Sequence, residues 1–389
     1  MTLELKPSIL LPTEPPFTCF TVLFPNQKAM GELMSPNVQS SVSSAASTEL
    51  PVEQVEYSKQ LAQKLRPIFS SFLSEIGYKT PPKITNDALW EAMLQRARES
   101  GVSLDYTYSQ KCFELGFMWA AVPYKDTPLS AQVYIGIYTW LALLVDDVAL
   151  KEDLEKFPQR FVARERQPNL ALQGFADVLL STFEIWDAVS ANAIVIASLG
   201  FVNCNALERH AGFQGIIPTA GGHRWPDYFR DTSGVPEAFA FFTFPSEKYP
   251  DISMYFEALP DMCTIINLAN DVLSFYKEEV AGEKKNYIHQ RAAYENRDAI
   301  AVVESVAKEV IEASKRIDLV LEGRGIYKQA WTNQLHGALH MHTCTGRYRL
   351  NELGLAEEKS CVAPSLVKES LGKIETAWQK VGEVDVSAL

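Results

Sequence analysis

Beyond Pro51 apolar residues recur at spacings of three and four through most of the chain, and the pattern predicts helices over 53–76, 87–99, 109–122, 130–150, 169–188, 191–210, 261–279, 297–322 and 327–352. Strand-like alternation is scarce. The stretch 133–145 is the longest apolar run, yet it contains Thr139 and is too short to span a bilayer, so it reads as a buried core helix. The segment 191–204 is also apolar on most sides. Helices of this kind sit centrally with amphipathic ones packed around them, which predicts an all-α, single-domain bundle enclosing a central cavity. No fixed-period repeat is present. Ahead of the bundle, Pro7, Pro12, Pro15 and Pro16 interrupt every apolar run and 35–47 is rich in Ser, Asn and Ala, so residues 1–50 read as a flexible leader. The domain is expected over 51–355, and 356–389 as a C-terminal tail with a short helical pattern.

Two polar interruptions of apolar helices carry the chemistry. Asn270, Ser274 and Glu278 recur every four residues and share one face of a helix otherwise built on Met262, Ile265, Ile266, Leu268, Val272 and Leu273. An amide carbonyl, a hydroxyl and a carboxylate are hard oxygen donors suited to Mg²⁺, and two of them are uncharged, so an anionic ligand must complete the site. Lys277, two turns beyond Asn270, adds a cation beside that face. A metal plus a cation points to a phosphate-bearing ligand. The second interruption is Asp146-Asp147, where two adjacent carboxylates close a buried helix and repel both each other and the helix C-terminus. A metal would remove that cost; spacing alone leaves a solvated helix end entering the charged stretch 151–155 equally open.

The formal net charge of −12 removes broad nucleic-acid binding and anionic membrane surfaces from consideration, since both require basic patches. Six scattered cysteines without a Cys-x-x-Cys pair indicate reduced thiols and a cytoplasmic protein. His336 and His340 have a zinc-compatible spacing and His342 follows, but no third ligand matches, which favours polar packing or a cavity-edge role. Local signatures of a Ser/His/Asp or Cys/His hydrolase are missing.

Together these residues resemble the class I terpene synthases, and within them the fungal trichodiene synthase family. Asp146-Asp147 look like the start of that group's aspartate-rich motif, and Asn270, Ser274 and Glu278 match its second metal motif residue for residue. Lys277 and the pair Arg347-Tyr348 match diphosphate-binding positions; Arg230, with Ser233 and Gly234 following, resembles the diphosphate-sensing arginine with its linker and effector residues. The resemblance implies three Mg²⁺ ions, farnesyl diphosphate as substrate, a cyclic sesquiterpene alcohol or hydrocarbon as product, and a homodimer. Leu150 stands where the aspartate-rich motif usually has its third acid; Asp146 is expected as the main ligand, with Asp147, Glu152 or Asp153 as a second contact, Asp153 sharing the face of Asp146 if the helix continues. Phe113, Phe117, Trp119, Tyr134, Tyr138, Trp140 and Phe201 are candidate cavity aromatics able to stabilise carbocations through cation–π attraction, although any one of them reads more readily as core. Chain-elongating or condensing prenyltransferases share the bundle but use two aspartate-rich motifs, so the Asn/Ser/Glu site favours cyclisation over that alternative and over a silent scaffold.

Overall fold

The computed structural model describes residues 52–366, apart from the side chains of residues 52, 53, 147 and 148. The expected leader and most of the expected tail therefore lie outside the described residues. The elements in chain order are α1 (Val52–Glu75), α2 (Asp87–Ser100), α3 (Thr107–Ala121), α4 (Leu129–Val148), α5 (Lys151–Ala163), α6 (Leu170–Ser181) and α7 (Ala188–Glu208). They continue with α8 (Ala211–Gln214), α9 (Trp225–Ser233), α10 (Pro236–Phe242), α11 (Leu259–Ala281), α12 (Tyr287–Glu295), α13 (Ala299–Val320) and α14 (Ile326–Cys344). No strand occurs among the described residues.

Helix ends follow local chemistry. Side-chain oxygens of Asn86, Asn169, Asn286 and Asp298 accept from backbone N–H groups in the first turns of α2, α6, α12 and α13, and Gly101 and Gly282 close α2 and α11 at φ 69° and 79°. The predicted helix 169–188 divides because Asp187 caps Val189 and Ser190 and so starts α7 three residues earlier than expected. The predicted helix 327–352 also breaks. It ends at Cys344, Thr345 is extended, and short 3₁₀ turns over Gly346–Tyr348 and Leu350–Leu353 flank Arg349 at φ 56°. Helices α9, α10 and α12 lack the length that makes periodicity visible; α9 and α10 start with Pro226 and Pro236 in their first turns, where the fixed φ suits a helix.

The core forms where α4 packs along α3 and α11 along α13. A Cβ on Gly116 would stand 2.4 Å from the Gly136 carbonyl oxygen, so glycine there permits the close α3–α4 approach. The apolar stretch Leu129–Asp146 passes by length and composition as a membrane span, but 83% of it is buried in the fold, as a core helix requires. α7 is comparably long and apolar and is half buried.

The described part of the expected helical tail is different in kind. Residues 356–366 carry no helix and lie against α14: Glu357 N–H donates to the Thr343 carbonyl (3.0 Å) and Ile84 N–H to the Ser360 carbonyl (2.8 Å). The Glu357 carboxylate accepts from Thr80 (2.6 Å), Thr343 (2.9 Å) and Tyr78. His340 is fully buried with both ring nitrogens engaged, Nδ1 near Glu357 (3.0 Å) and Nε2 accepting from Ser360 N–H (3.1 Å). His336 Nδ1 accepts from Lys79 N–H (3.2 Å), so neither histidine is poised for a metal.

Candidate active site

Helix α11 organises the site because it carries the buried Asn267, Asp271, Ser274, Lys277 and Glu278 together with the partly buried Asn270. Asn270 is oriented by α14. The His342 Nδ1 lies 2.7 Å from the Ala338 carbonyl, which can only accept, so that nitrogen bears the proton and Nε2 is an acceptor. Asn270 Nδ2 therefore donates to Nε2 (3.1 Å), and it also reaches the Tyr348 hydroxyl at 3.5 Å. This leaves the amide oxygen Oδ1 for a ligand. Burial pushes His342 down to about 4, only partly offset by the Ala338 bond and reinforced by the charges of Arg347 and Lys277, so the ring is neutral near pH 7.

One turn on, the Ser274 hydroxyl is fully buried and has no hydrogen-bond partner among the described residues. A helical serine commonly bonds back to a preceding carbonyl, so an orphaned hydroxyl between Asn270 Oδ1 and the buried Glu278 carboxylate has the donor chemistry of a hard-cation site. Lys277 Nζ stands 3.9 Å from Glu278. Among the described residues no three His, Cys, Asp or Glu cluster as a ready metal site, as expected where two of the three donors are an amide and a hydroxyl. Burial lifts the Glu283 carboxyl to about 7, with Lys277 pulling down, Glu278 pushing up and Arg347 pulling down; these charges share one neighbourhood.

Arg230 approaches from α9. Its Nε donates to both carboxylate oxygens of Asp271 (2.7 and 3.0 Å) and a terminal nitrogen to the Asn267 carbonyl (3.1 Å). Burial raises Asp271 to about 6 against the pull of Arg230. Asn267 Nδ2 returns bonds to the Arg230 carbonyl and the Asp231 carboxylate, both at 3.3 Å. Ser233 is buried with its hydroxyl 3.4 Å from the Arg230 carbonyl. A Cβ on Gly234 would fall 2.0 Å from Asn267 Oδ1 and 2.3 Å from Arg230, so only glycine leaves room for this lock. The buried, β-branched Val235 follows at φ 51°, a conformation costing about 1–3 kcal/mol that sharpens the turn from α9 into α10.

Asp146 is buried near the end of α4, three residues beyond cavity-lining Leu143, and the side chain of Asp147 lies outside the described residues. Arg209 donates to the backbone carbonyls of Asp146 (2.5 Å) and Ala149 (2.6 Å), setting a cation at the negative end of that helix. The helix does not continue into the charged stretch. Ala149 and Leu150 are extended, Leu150 is 68% exposed, and Asp153 sits in the first turn of α5 with Arg160 3.9 Å away. The expectation that Asp153 shares the Asp146 face through a continuous helix is thus corrected, and the stretch read as a loop is helical.

Between α3, α4, α10, α11 and α14 lies a cavity of about 100 Å³. Its walls are mainly apolar, with Leu115, Trp119, Leu143, Phe239, Ile265 and Leu339 among them, while Arg230, Asn270, His342, Arg347 and Tyr348 form a polar end. Such a chamber takes a hydrocarbon chain under a polar head group.

Comparisons with known proteins bear on this arrangement. The family model described as trichodiene synthase matches residues 113–386. The chain belongs to the trichodiene synthase family. The chain is 39% identical over 322 residues to terpene synthase BipA of Cochliobolus sativus, covering 82% of this chain and 94% of the relative. It is 37% identical over 306 residues to longiborneol synthase CLM1 of Gibberella zeae, covering 76% and 90%. In fold it is similar to linalool/nerolidol synthase from Streptomyces clavuligerus at TM-score 0.50 and 14% identity, over 68% of this chain and 98% of that one. The protein is an enzyme, a terpene cyclase; the family acts on prenyl diphosphates and depends on a divalent metal.

In this trichodiene synthase family member, the seven candidate aromatics divide between cavity and core. Trp119 lines the cavity, joined by Phe239 and Tyr348. Phe113 and Phe117 pack edge-on with Trp90, and Trp140 edge-on with Phe113, in the α2–α3–α4 core, and Trp140 Nε1 donates to Ser109 (3.1 Å). Tyr134 and Tyr138 bond Thr182 (2.6 Å) and Ser198 (2.8 Å), and Phe201 meets Phe175 edge-on, so these six belong to the core. Asn267, Asp271 and Arg209 escaped sequence reasoning, whereas His342, read from the sequence as polar packing or a cavity-edge residue, lines the polar end of the cavity. Only Asp271 lay inside a recognised motif, and nothing local distinguishes Asn267 and Arg209 from ordinary polar residues.

Proposed function

We propose that the protein is a magnesium-dependent sesquiterpene synthase that ionises farnesyl diphosphate and cyclises the resulting cation to a polycyclic product, an alcohol such as longiborneol or a hydrocarbon, with release of diphosphate. The observation that carries this reading is the donor set on α11: an orphaned Ser274 hydroxyl, a buried Glu278 carboxylate, and an Asn270 amide whose nitrogen is committed to His342. On this reading Asn270, Ser274 and Glu278 would hold one Mg²⁺, and the motif that begins at Asp146 would hold two more. Bound metal would supply charge stabilisation for the departing diphosphate. Arg230, Lys277, Arg347 and Tyr348 bind the diphosphate oxygens, and the Gly234 turn ties the sensor Arg230 to the metal helix through Asn267 and Asp271. The apolar walls exclude water from the first cation. Reduced cysteines support a cytoplasmic enzyme, since all five described ones are free thiols, and the family resemblance supports a homodimer.

The test is incubation of purified protein with Mg²⁺ and, separately, geranyl, farnesyl and geranylgeranyl diphosphates, with extracts analysed by gas chromatography and mass spectrometry. A cyclic C15 product from farnesyl diphosphate is expected. Elongated prenyl diphosphates would instead identify a prenyltransferase, and lack of turnover with all three would leave a silent scaffold.

A further inference from the structure

The cavity is apolar except at its diphosphate end and at two isolated polar atoms. Thr139 Oγ1 on α4 and Gln334 Oε1 on α14 are buried, at 6% and 1% residue exposure, and neither atom has a hydrogen-bond partner among the described residues. Leaving two such buried atoms unpaired is unfavourable, so their retention in a hydrocarbon-binding chamber calls for a polar occupant. Their depth is shared. Thr139 precedes Asp146 by seven residues and Gln334 precedes His342 by eight, and both helices run towards the diphosphate end, which places both atoms about 10–12 Å below it along their helix axes.

The orientation of Gln334 is determined by a neighbour. The Tyr124 hydroxyl donates its proton to the Phe239 carbonyl (2.9 Å), so towards Gln334 it can only accept, and the Gln334 amide nitrogen takes that contact. The amide oxygen is left over as an acceptor. A hydroxyl that donates or accepts and a carbonyl that accepts together match a water molecule in a polar spot of an apolar cavity.

We propose that Thr139 and Gln334 hold the water that captures the last carbocation, which makes a cyclic sesquiterpene alcohol the main product; this rests on the cyclase reading above. The water donates one proton in a hydrogen bond to Gln334 Oε1, and Thr139 fixes its second direction, leaving an oxygen lone pair towards the ring system. That lone pair forms the new C–O bond, and the proton lost from the resulting oxonium passes along its hydrogen bond to Gln334 Oε1, from which it reaches the released diphosphate when the pocket opens. Charge and atoms balance: cation plus water gives alcohol, and diphosphate gains the proton. At this depth the water is remote from the carbon that ionises, so the early allylic cation escapes it and the cyclised cation meets it.

The experiment is turnover of farnesyl diphosphate by the full chain in ¹⁸O-water, with diphosphate release measured alongside the product profile, for wild type, Thr139→Val, Thr139→Ser and Gln334→Met. Wild type should yield mostly ¹⁸O-labelled cyclic alcohol. Thr139→Val and Gln334→Met should lower the ratio of alcohol to hydrocarbon per diphosphate released by at least about tenfold, whereas Thr139→Ser, which keeps the hydroxyl, should preserve it. Circular dichroism melts identify any variant that fails to fold, and the near-isosteric Thr139→Val then decides the matter. A hydrocarbon-only wild type, or an unchanged ratio in Thr139→Val and Gln334→Met, would overturn the inference while leaving the cyclase reading intact; no diphosphate release by wild type would overturn both.

Discussion

Gly234→Ala is the smallest change that reaches the heart of the site. The added Cβ would stand 2.0 Å from Asn267 Oδ1 and 2.3 Å from an Arg230 nitrogen. Ordinary contact needs about 3.4 Å, so Asn267 must retreat by roughly 1.4 Å or the α9–α10 turn must shift by as much. Either movement stretches the 3.3 Å bonds from Asn267 to Arg230 and Asp231 beyond hydrogen-bond reach and drags Arg230 from its 2.7 Å contact with Asp271. Misplacing a ligand-binding cation by about 1 Å costs on the order of 100-fold in rate, about 2.7 kcal/mol of transition-state stabilisation. Overpacking should lower stability by only about 1–3 kcal/mol, so the protein stays folded. Steady-state turnover of farnesyl diphosphate should show kcat/KM reduced about 100-fold with a melting temperature only a few degrees lower. If Gly234→Ala retained activity within threefold of wild type, the Gly234–Asn267–Arg230 lock would not matter to catalysis.

His342→Leu removes the acceptor that turns the Asn270 amide, and loss of such an outer-shell partner should weaken Mg²⁺ binding about 10-fold or more when titrated calorimetrically with inorganic diphosphate; an unchanged affinity would remove His342 from the site. Leu150 occupies the N-cap of α5 without a capping bond, so Leu150→Asp should raise stability by about 0.5–1 kcal/mol in a thermal melt and leave the Mg²⁺ dependence of turnover unaltered; a large rise in rate would instead reveal a site short of a ligand. Burial works to raise the Glu357 carboxyl, but bonds from Thr80, Tyr78, Thr343 and His340 hold it below its usual 4.5. Its stabilising contribution is therefore present above about pH 4.5 and lost as pH falls through the lowered value. Glu357→Gln should flatten the loss of melting temperature between about pH 5 and 3, and an unchanged acid limb would show that the strap at 356–366 is held by other contacts.

Much of this protein is written in local pattern. Three-and-four spacing located the long helices, because burying one helical face requires apolar residues at that period, and the polar stripe Asn270, Ser274, Glu278 stood out because it interrupts such a face. The pairing of that stripe with Asp146 and Arg347-Tyr348 indicated a family, and with it a fold and a reaction class. What the sequence could not determine depends on contacts between residues far apart in the chain. That α14 stops at Cys344, which of seven aromatics faces the cavity, that Asp271 holds Arg230 rather than a metal, and that His342 turns the Asn270 amide all follow from which helix lies beside which. Thr139 looks like a flaw in an apolar run until α14 brings Gln334 to the same cavity. Periodicity reports that a side chain is buried, whereas its partner across a helix interface is decided only when the bundle closes.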